Sequence, residues 1–175
     1  MTTYNLETEV KIKISDEKLE EITSLMGSPD YFEQTNVIYA MPVGFLRLRK
    51  EKNKTIITYK GAPLDDRFHS RQEYESDLGL EQFPVLKDIL GNIGLEETLS
   101  FTKKRAEFSL GHCKLFIDHI EGGIYFEIEA KYERDIPKAM SFFGLKEEDI
   151  EKRSYFQILQ DYNSQKDLTK HLNNN

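Results

Sequence analysis

The stretch LETEVKIKI, residues 6 to 14, alternates oily and ionic side chains. In an extended chain Leu6, Thr8, Val10, Ile12 and Ile14 fall on one face, and Glu7, Glu9, Lys11 and Lys13 fall on the other. The first face can pack on a core. The second is either solvated surface or one wall of a site that handles anions and cations together.

Seven further segments read as strands: 31–40, 45–50, 55–60, 70–77, 101–110, 113–120 and 124–132. Turn residues separate them, with Gly44 before the third strand, Asn53 before the fourth, Gly111 before the seventh and Gly122-Gly123 before the eighth. Helices are expected at DEKLEEITSLM (16–26), after Ser15 and up to a stop at Gly27, and at QFPVLKDILGN (82–92). DIPKAMSFFG (135–144), with Pro137 in its first turn, and EEDIEKRSYFQILQDY (147–162) complete the set. Without a repeat or low-complexity linker, the chain reads as a single domain over 1–163 followed by a polar, frayed tail over 164–175.

The ionic face recurs from strand to strand. Arg47 and Arg49 share a face, as do Arg71, Glu73, Glu75 and Asp77, then Lys103, Arg105 and Glu107, and then Glu127, Glu129 and Lys131. Lys60 and Asp118 add single charges, which brings the charged faces to nine basic and nine acidic residues. An open antiparallel sheet with one wet face accounts for alternation in any one strand. Solvated faces, however, usually mix Ser, Thr, Asn and Gln with their charges, and these positions are mostly Lys, Arg and Glu. Eight antiparallel strands can also close into a barrel, turning alternate residues inward. With the ionic set inside, the interior must be wet, because an ion in a dry core costs several kcal/mol unless it is fully paired. Such a tunnel suits a polyphosphate carrying Mg²⁺ or Mn²⁺, with oxygens for the Arg and Lys groups and cations for the carboxylates.

Composition narrows the partners. A chain of 175 residues and 20.5 kDa can bury a sizeable core without staples, and its one cysteine, Cys113, fits a reducing compartment. With no basic-then-apolar leader and no long apolar run, the expectation is a cytoplasmic protein that binds no membrane. A net charge of −7 argues against nucleic acid, so an anionic ligand must be met by local positive charge. The chain has neither a GxxxxGK[ST] loop nor a GxGxxG turn, and His112-Cys113 lacks partners for a zinc site. Tyr155, Phe156, Ile158 and Leu159 read as helix packing, and His69 as surface near the fifth strand.

ETEVK at 7–11 resembles the ExExK signature of the CYTH superfamily, the triphosphate tunnel metalloenzymes. The likeness continues in order through LRLRK (46–50), ITYKG (57–61), SRQEYE (70–75), KKR (103–105), IDHIEGGIYFEIE (117–129) and SYFQIL (154–159). It is nearest to the class IV adenylyl cyclase branch. The resemblance implies an α+β fold, a closed or nearly closed eight-stranded antiparallel tunnel with flanking helices, and a possible homodimer. It implies that Glu7, Glu9, Glu127 and Glu129 hold the divalent metal with help from Glu73 and Glu75. Lys11, Arg47, Arg49, Lys60, Lys103 and Arg105 would grip phosphates, with Arg71, Lys131 and Arg153 as outer candidates. Asp118 would orient a basic neighbour or a metal-bound water, and Glu7, Glu9, Lys11 and Asp118 form the catalytic set. The activity implied is ATP cyclisation to cyclic AMP and pyrophosphate. The alternatives are hydrolysis of tripolyphosphate, thiamine triphosphate or a nucleoside triphosphate, a silent polyphosphate or nucleotide binder, and a scaffold built on an open sheet.

Overall fold

The structure is a computed structural model that describes residues 5–63 and 71–173, with side chains at 8–62 and 71–166. His69 and the side chain of Glu7 lie outside the described residues. In chain order the elements are β1 (Asn5–Ile14), α1 (Asp16–Met26), β2 (Phe32–Ala40), β3 (Phe45–Glu51), β4 (Lys54–Pro63) and β5 (Arg71–Gly79). After these come α2 (Gln82–Asn92), β6 (Glu97–Leu110), β7 (Cys113–Ile120), β8 (Gly123–Ala130), α3 (Ile136–Phe142) and α4 (Tyr155–Asn173).

All strand pairs are antiparallel, and the order β1-β5-β4-β3-β2-β6-β7-β8 returns to β1 through a long β1–β8 ladder from Thr8↔Ala130 to Ile14↔Ile124. The ring is thinnest at the β1–β5 seam, paired through Asn5↔Glu73, Leu6↔Gln72 and Glu7↔Arg71. The expected tunnel topology is therefore present.

The apolar strand faces point outward and helices cover them. Val10, Ile12, Ala106, Leu115, Ile117, Phe126 and Ile128 pack beneath Ile22 of α1 and Ile136, Ala139 and Met140 of α3. Val37, Tyr39 and Leu48 pack with Leu90 of α2 on the other side. Each Val, Leu, Ile, Phe or Met among them contributes about 1.5–3 kcal/mol through burial. This outer core leaves the inner faces free to be ionic. α1 starts where expected, because the Ser15 side chain accepts a hydrogen bond from the Lys18 amide at 3.3 Å.

Three expectations need correction. The final helix begins at Tyr155, not at residue 147: a single 3-10 turn at Glu147–Asp149 leads into a segment whose Ile150 bridges Ile12 of β1. At its far end it runs on to Asn173, through the stretch read as a frayed tail, since NSQKDLTKHL contains no Gly or Pro to stop it. β6 also starts four residues earlier than its pattern suggested, because Glu97 and Leu99 pair with Tyr39 and Ile38 across a bulge. Among the described residues no helix is long and apolar enough to cross a membrane.

Candidate active site: an ionic tunnel

The inner faces enclose a cavity of about 600 Å³. Its walls carry Glu9 and Lys11 of β1, Arg47 and Arg49 of β3, Lys60 of β4, and Arg71, Glu73 and Glu75 of β5. β6 adds Lys103 and Arg105, and β8 adds Glu127 and Glu129. Strand alternation makes this convergence unavoidable once the ring closes, because residues of like parity on every strand face the same lumen.

Asp118 of β7 is the buried centre of the set, with 0% of its surface exposed. Its Oδ2 accepts from Lys103 Nζ at 2.6 Å and Arg105 Nη2 at 2.5 Å, and its Oδ1 accepts from Arg105 Nε at 2.7 Å. Arg105 also reaches Glu127. Burial opposes ionisation of Asp118, but Arg105 and Lys103 outweigh it and hold the carboxyl well below the usual carboxylate range. Asp118 thus pairs with two basic neighbours, Lys103 and Arg105.

The same burial acts on the cations. Lys103 is lowered to about 7 by burial and then by the nearby Arg105 charge, with Asp118 and Glu127 offsetting part of this. Arg49 is lowered to about 9 by burial and by Arg47 and Arg105, and it stays charged at neutral pH. Lys11 is lowered by burial against the pull of Glu127 and Glu9. Arg105 is raised, because Asp118 and Glu127 overcome its burial. Lys11, Arg49 and Lys103, held below their ordinary values, gain from an added polyanion.

The remaining partners are local. Arg49 Nε donates to Asn36 Oδ1 at 2.9 Å, and Lys60 pairs with Glu73. Arg47 Nη2 donates to Thr58 Oγ1 at 3.1 Å and lies 3.4 Å from Glu75. Lys114 pairs with Glu129 at 3.1 Å. The Nε atoms of Arg47 and Arg71 are buried donors that meet no acceptor among the described residues. A buried unmet donor costs about 1–3 kcal/mol, which a ligand oxygen would relieve.

Two candidates fall outside the tunnel. Lys131 follows the end of β8 and is exposed beside Tyr132. Arg153 turns its guanidinium outward to Glu151 at 2.6 Å and Asp161 at 2.9 Å. Only its backbone carbonyl serves the site, accepting from Lys11 Nζ at 2.6 Å. Lys13 is exposed as well.

Sequence reasoning missed Tyr155, which lines the cavity where core packing was expected, and Gln34, Asn36 and Glu51. Parity held the signal for Glu51, which continues the Arg47–Arg49 face by one more step. For Tyr155 the signal was the family likeness in SYFQIL (154–159), and nothing in its helical spacing points to neighbours that arrive from the strands.

The carboxylates supply the oxygen donors that hard divalent cations prefer, and Glu9 and Glu129 face each other as direct cross-strand partners. Among the described residues no three His, Cys, Asp or Glu side chains converge as metal ligands, because Glu73, Glu75, Glu127 and Glu129 are each drawn to a cation. The oxygen donors of these carboxylates suit the chemistry of a hard divalent ion.

Helices outside and ion pairs around a shared lumen define a tunnel protein whose interior carries both signs of charge. The chain belongs to the CYTH domain family, which matches residues 5–155. CYTH proteins are enzymes that act on triphosphates and use divalent metals. A Methanocaldococcus jannaschii protein named "Putative adenylate cyclase MJ0240" is 26% identical over 173 residues, covering 87% of this chain and 98% of its own. The PH1012 protein of Pyrococcus horikoshii OT3 superposes with a TM-score of 0.75 at 25% identity, covering 87% of this chain and 99% of its own. "Putative adenylyl cyclase HpAC1" from Hippeastrum, for which a dominant triphosphatase activity is stated, shares the fold at a TM-score of 0.62 and 18% identity, over 89% of this chain and 96% of its own.

Proposed function

We propose that this chain is a divalent-metal-dependent enzyme that binds a nucleoside triphosphate in the tunnel and converts ATP to cyclic AMP and pyrophosphate. The observation that carries the reading is the run of six cations, Lys11, Arg47, Arg49, Lys60, Lys103 and Arg105, beside an apolar wall in one cavity. That wall is made by Ile38 and Ala40 closing β2, Phe45 opening β3 and Leu99 in β6, with Ala40↔Phe45 and Ile38↔Leu99 directly paired. A bare tripolyphosphate leaves such a wall uncovered, whereas a nucleoside covers it.

In this reading Arg47 and Arg49 present planar forks to phosphate oxygens, while Lys11, Lys60 and Lys103 act as point charges. Glu9 and Glu129 hold the divalent ion, with Glu7, Glu127, Glu73 and Glu75 around them. A divalent ion held there would supply charge neutralisation at the phosphates and would favour ionisation of the attacking hydroxyl. Cyclisation forms a bond from the ribose 3′ oxygen to the α-phosphorus and breaks the bond to the bridging oxygen, the 3′ hydroxyl proton passing to solvent water, so pyrophosphate leaves with its charge held by the cations.

Hydrolysis is the second reading. The same grip with water as nucleophile yields a triphosphatase, and the activity stated for the Hippeastrum fold neighbour favours keeping it in view. Incubation with Mg²⁺ or Mn²⁺ and either ATP or tripolyphosphate, followed by separation of products, decides between them. Cyclic AMP with pyrophosphate is expected from ATP. Phosphate with ADP from ATP, or phosphate with pyrophosphate from tripolyphosphate, and no cyclic AMP selects the hydrolase, and no turnover of either substrate removes the enzyme reading. Glu9→Gln is expected to abolish turnover while leaving the circular dichroism spectrum unchanged, and full activity in that variant would contradict the metal assignment.

A further inference from the structure

We infer that Tyr155 is a positioning residue that ties the C-terminal segment to the tunnel cations, so that docking of α4 sets the geometry of the phosphate grip. The inference takes its ligand from the triphosphate reading above; its geometry stands independently of that reading.

The Tyr155 hydroxyl donates to Asp118 Oδ2 at 2.9 Å, the same oxygen that receives Lys103 and Arg105. The Tyr155 ring centroid lies 4.4 Å from Lys11 Nζ and 4.8 Å from Lys103 Nζ, within cation–π range of both. Tyr125 fixes the ring edge-to-face at 5.6 Å. One side chain thus touches three of the phosphate-gripping groups or their common anchor, and it comes from outside the barrel.

The segment leading into Tyr155 is fastened to β1 at the residue that matters. The Glu151 amide donates to the Lys11 carbonyl at 2.7 Å, Ile150 bridges Ile12, and Lys11 Nζ donates to the Arg153 carbonyl at 2.6 Å. Lys11 is therefore held through both backbone and side chain by residues 151–153. If Tyr155 only filled space, its hydroxyl would be dispensable. Burial together with the Asp118 and Glu127 charges raises its pKa well above the ordinary value, which keeps the hydroxyl protonated as a donor throughout the physiological range.

The test compares wild type, Tyr155→Phe and Tyr155→Leu as full chains. Tripolyphosphate affinity is measured by calorimetry with Mg²⁺, and solvent exchange of the Arg105 Nε–H by NMR without ligand. Tyr155→Phe is expected to keep the unfolding midpoint, weaken tripolyphosphate about tenfold and speed Arg105 Nε–H exchange. Tyr155→Leu, which also loses the ring, should weaken binding by a further factor of roughly five to ten. Wild-type affinity together with wild-type Arg105 protection in Tyr155→Phe would overturn the inference, and so would loss of fold in that variant. If wild type itself binds no tripolyphosphate, the triphosphate reading fails; Arg105 exchange then decides the positioning role, faster in Tyr155→Phe supporting it and unchanged overturning it.

Discussion

Asp118 gathers Lys103, Arg105 and Tyr155 on one buried carboxylate, so its removal should be felt in stability before function. Asp118→Asn leaves two buried cations short of a counter-charge and is expected to cost about 3–5 kcal/mol in denaturant unfolding. A loss below about 1 kcal/mol, the range of exposed pairs, would contradict the anchoring role. Lys103 yields a pH prediction. With its pKa lowered to about 7 in the free tunnel, the side chain is largely neutral above that pH. A bound polyanion favours the charged form, so tripolyphosphate binding should take up a proton above pH 7 and weaken as pH rises. Titrations in two buffers of different ionisation enthalpy read this directly; proton release or a pH-independent affinity would refute it.

At the scale of elements, strand parity made most of the barrel legible, because charge and oil alternate so strictly that either face predicts the other. Parity also gave Lys11, Arg47, Arg49, Lys60, Lys103 and Arg105 their shared side before any coordinates. It failed at strand ends, where the chain leaves the ladder: Lys131 keeps the parity of Glu129 but lies past the last paired residue, Ala130. The C-terminal elements were least legible, since a 3-10 turn and a bridge to β1 break the helical period between residues 147 and 155. One turn can be tested alone. Gly44, at φ +70° between β2 and β3, sits where an added Cβ would collide with the Lys60 carbonyl oxygen. Gly44→Ala should therefore cost about 1–3 kcal/mol of stability in thermal unfolding, and an unchanged midpoint would show that the turn relaxes freely.

Across the whole molecule, a chain of net charge −7 gathers basic groups in slight excess over acidic ones in its lumen and covers its apolar strand faces with helices. The inversion explains how an acidic protein can capture an anion: the field is unfavourable at long range and favourable only inside. Every cation in that lumen should therefore matter more than any outside it. The most direct check is a calorimetric titration of tripolyphosphate with Mg²⁺ into wild type, Arg49→Ala and Lys131→Ala. Saturable one-to-one binding is expected, lost by at least about tenfold in Arg49→Ala through its charged hydrogen bonds and held within about twofold in Lys131→Ala. No saturable binding by wild type, or equal losses in both variants, would contradict a phosphate-gripping tunnel.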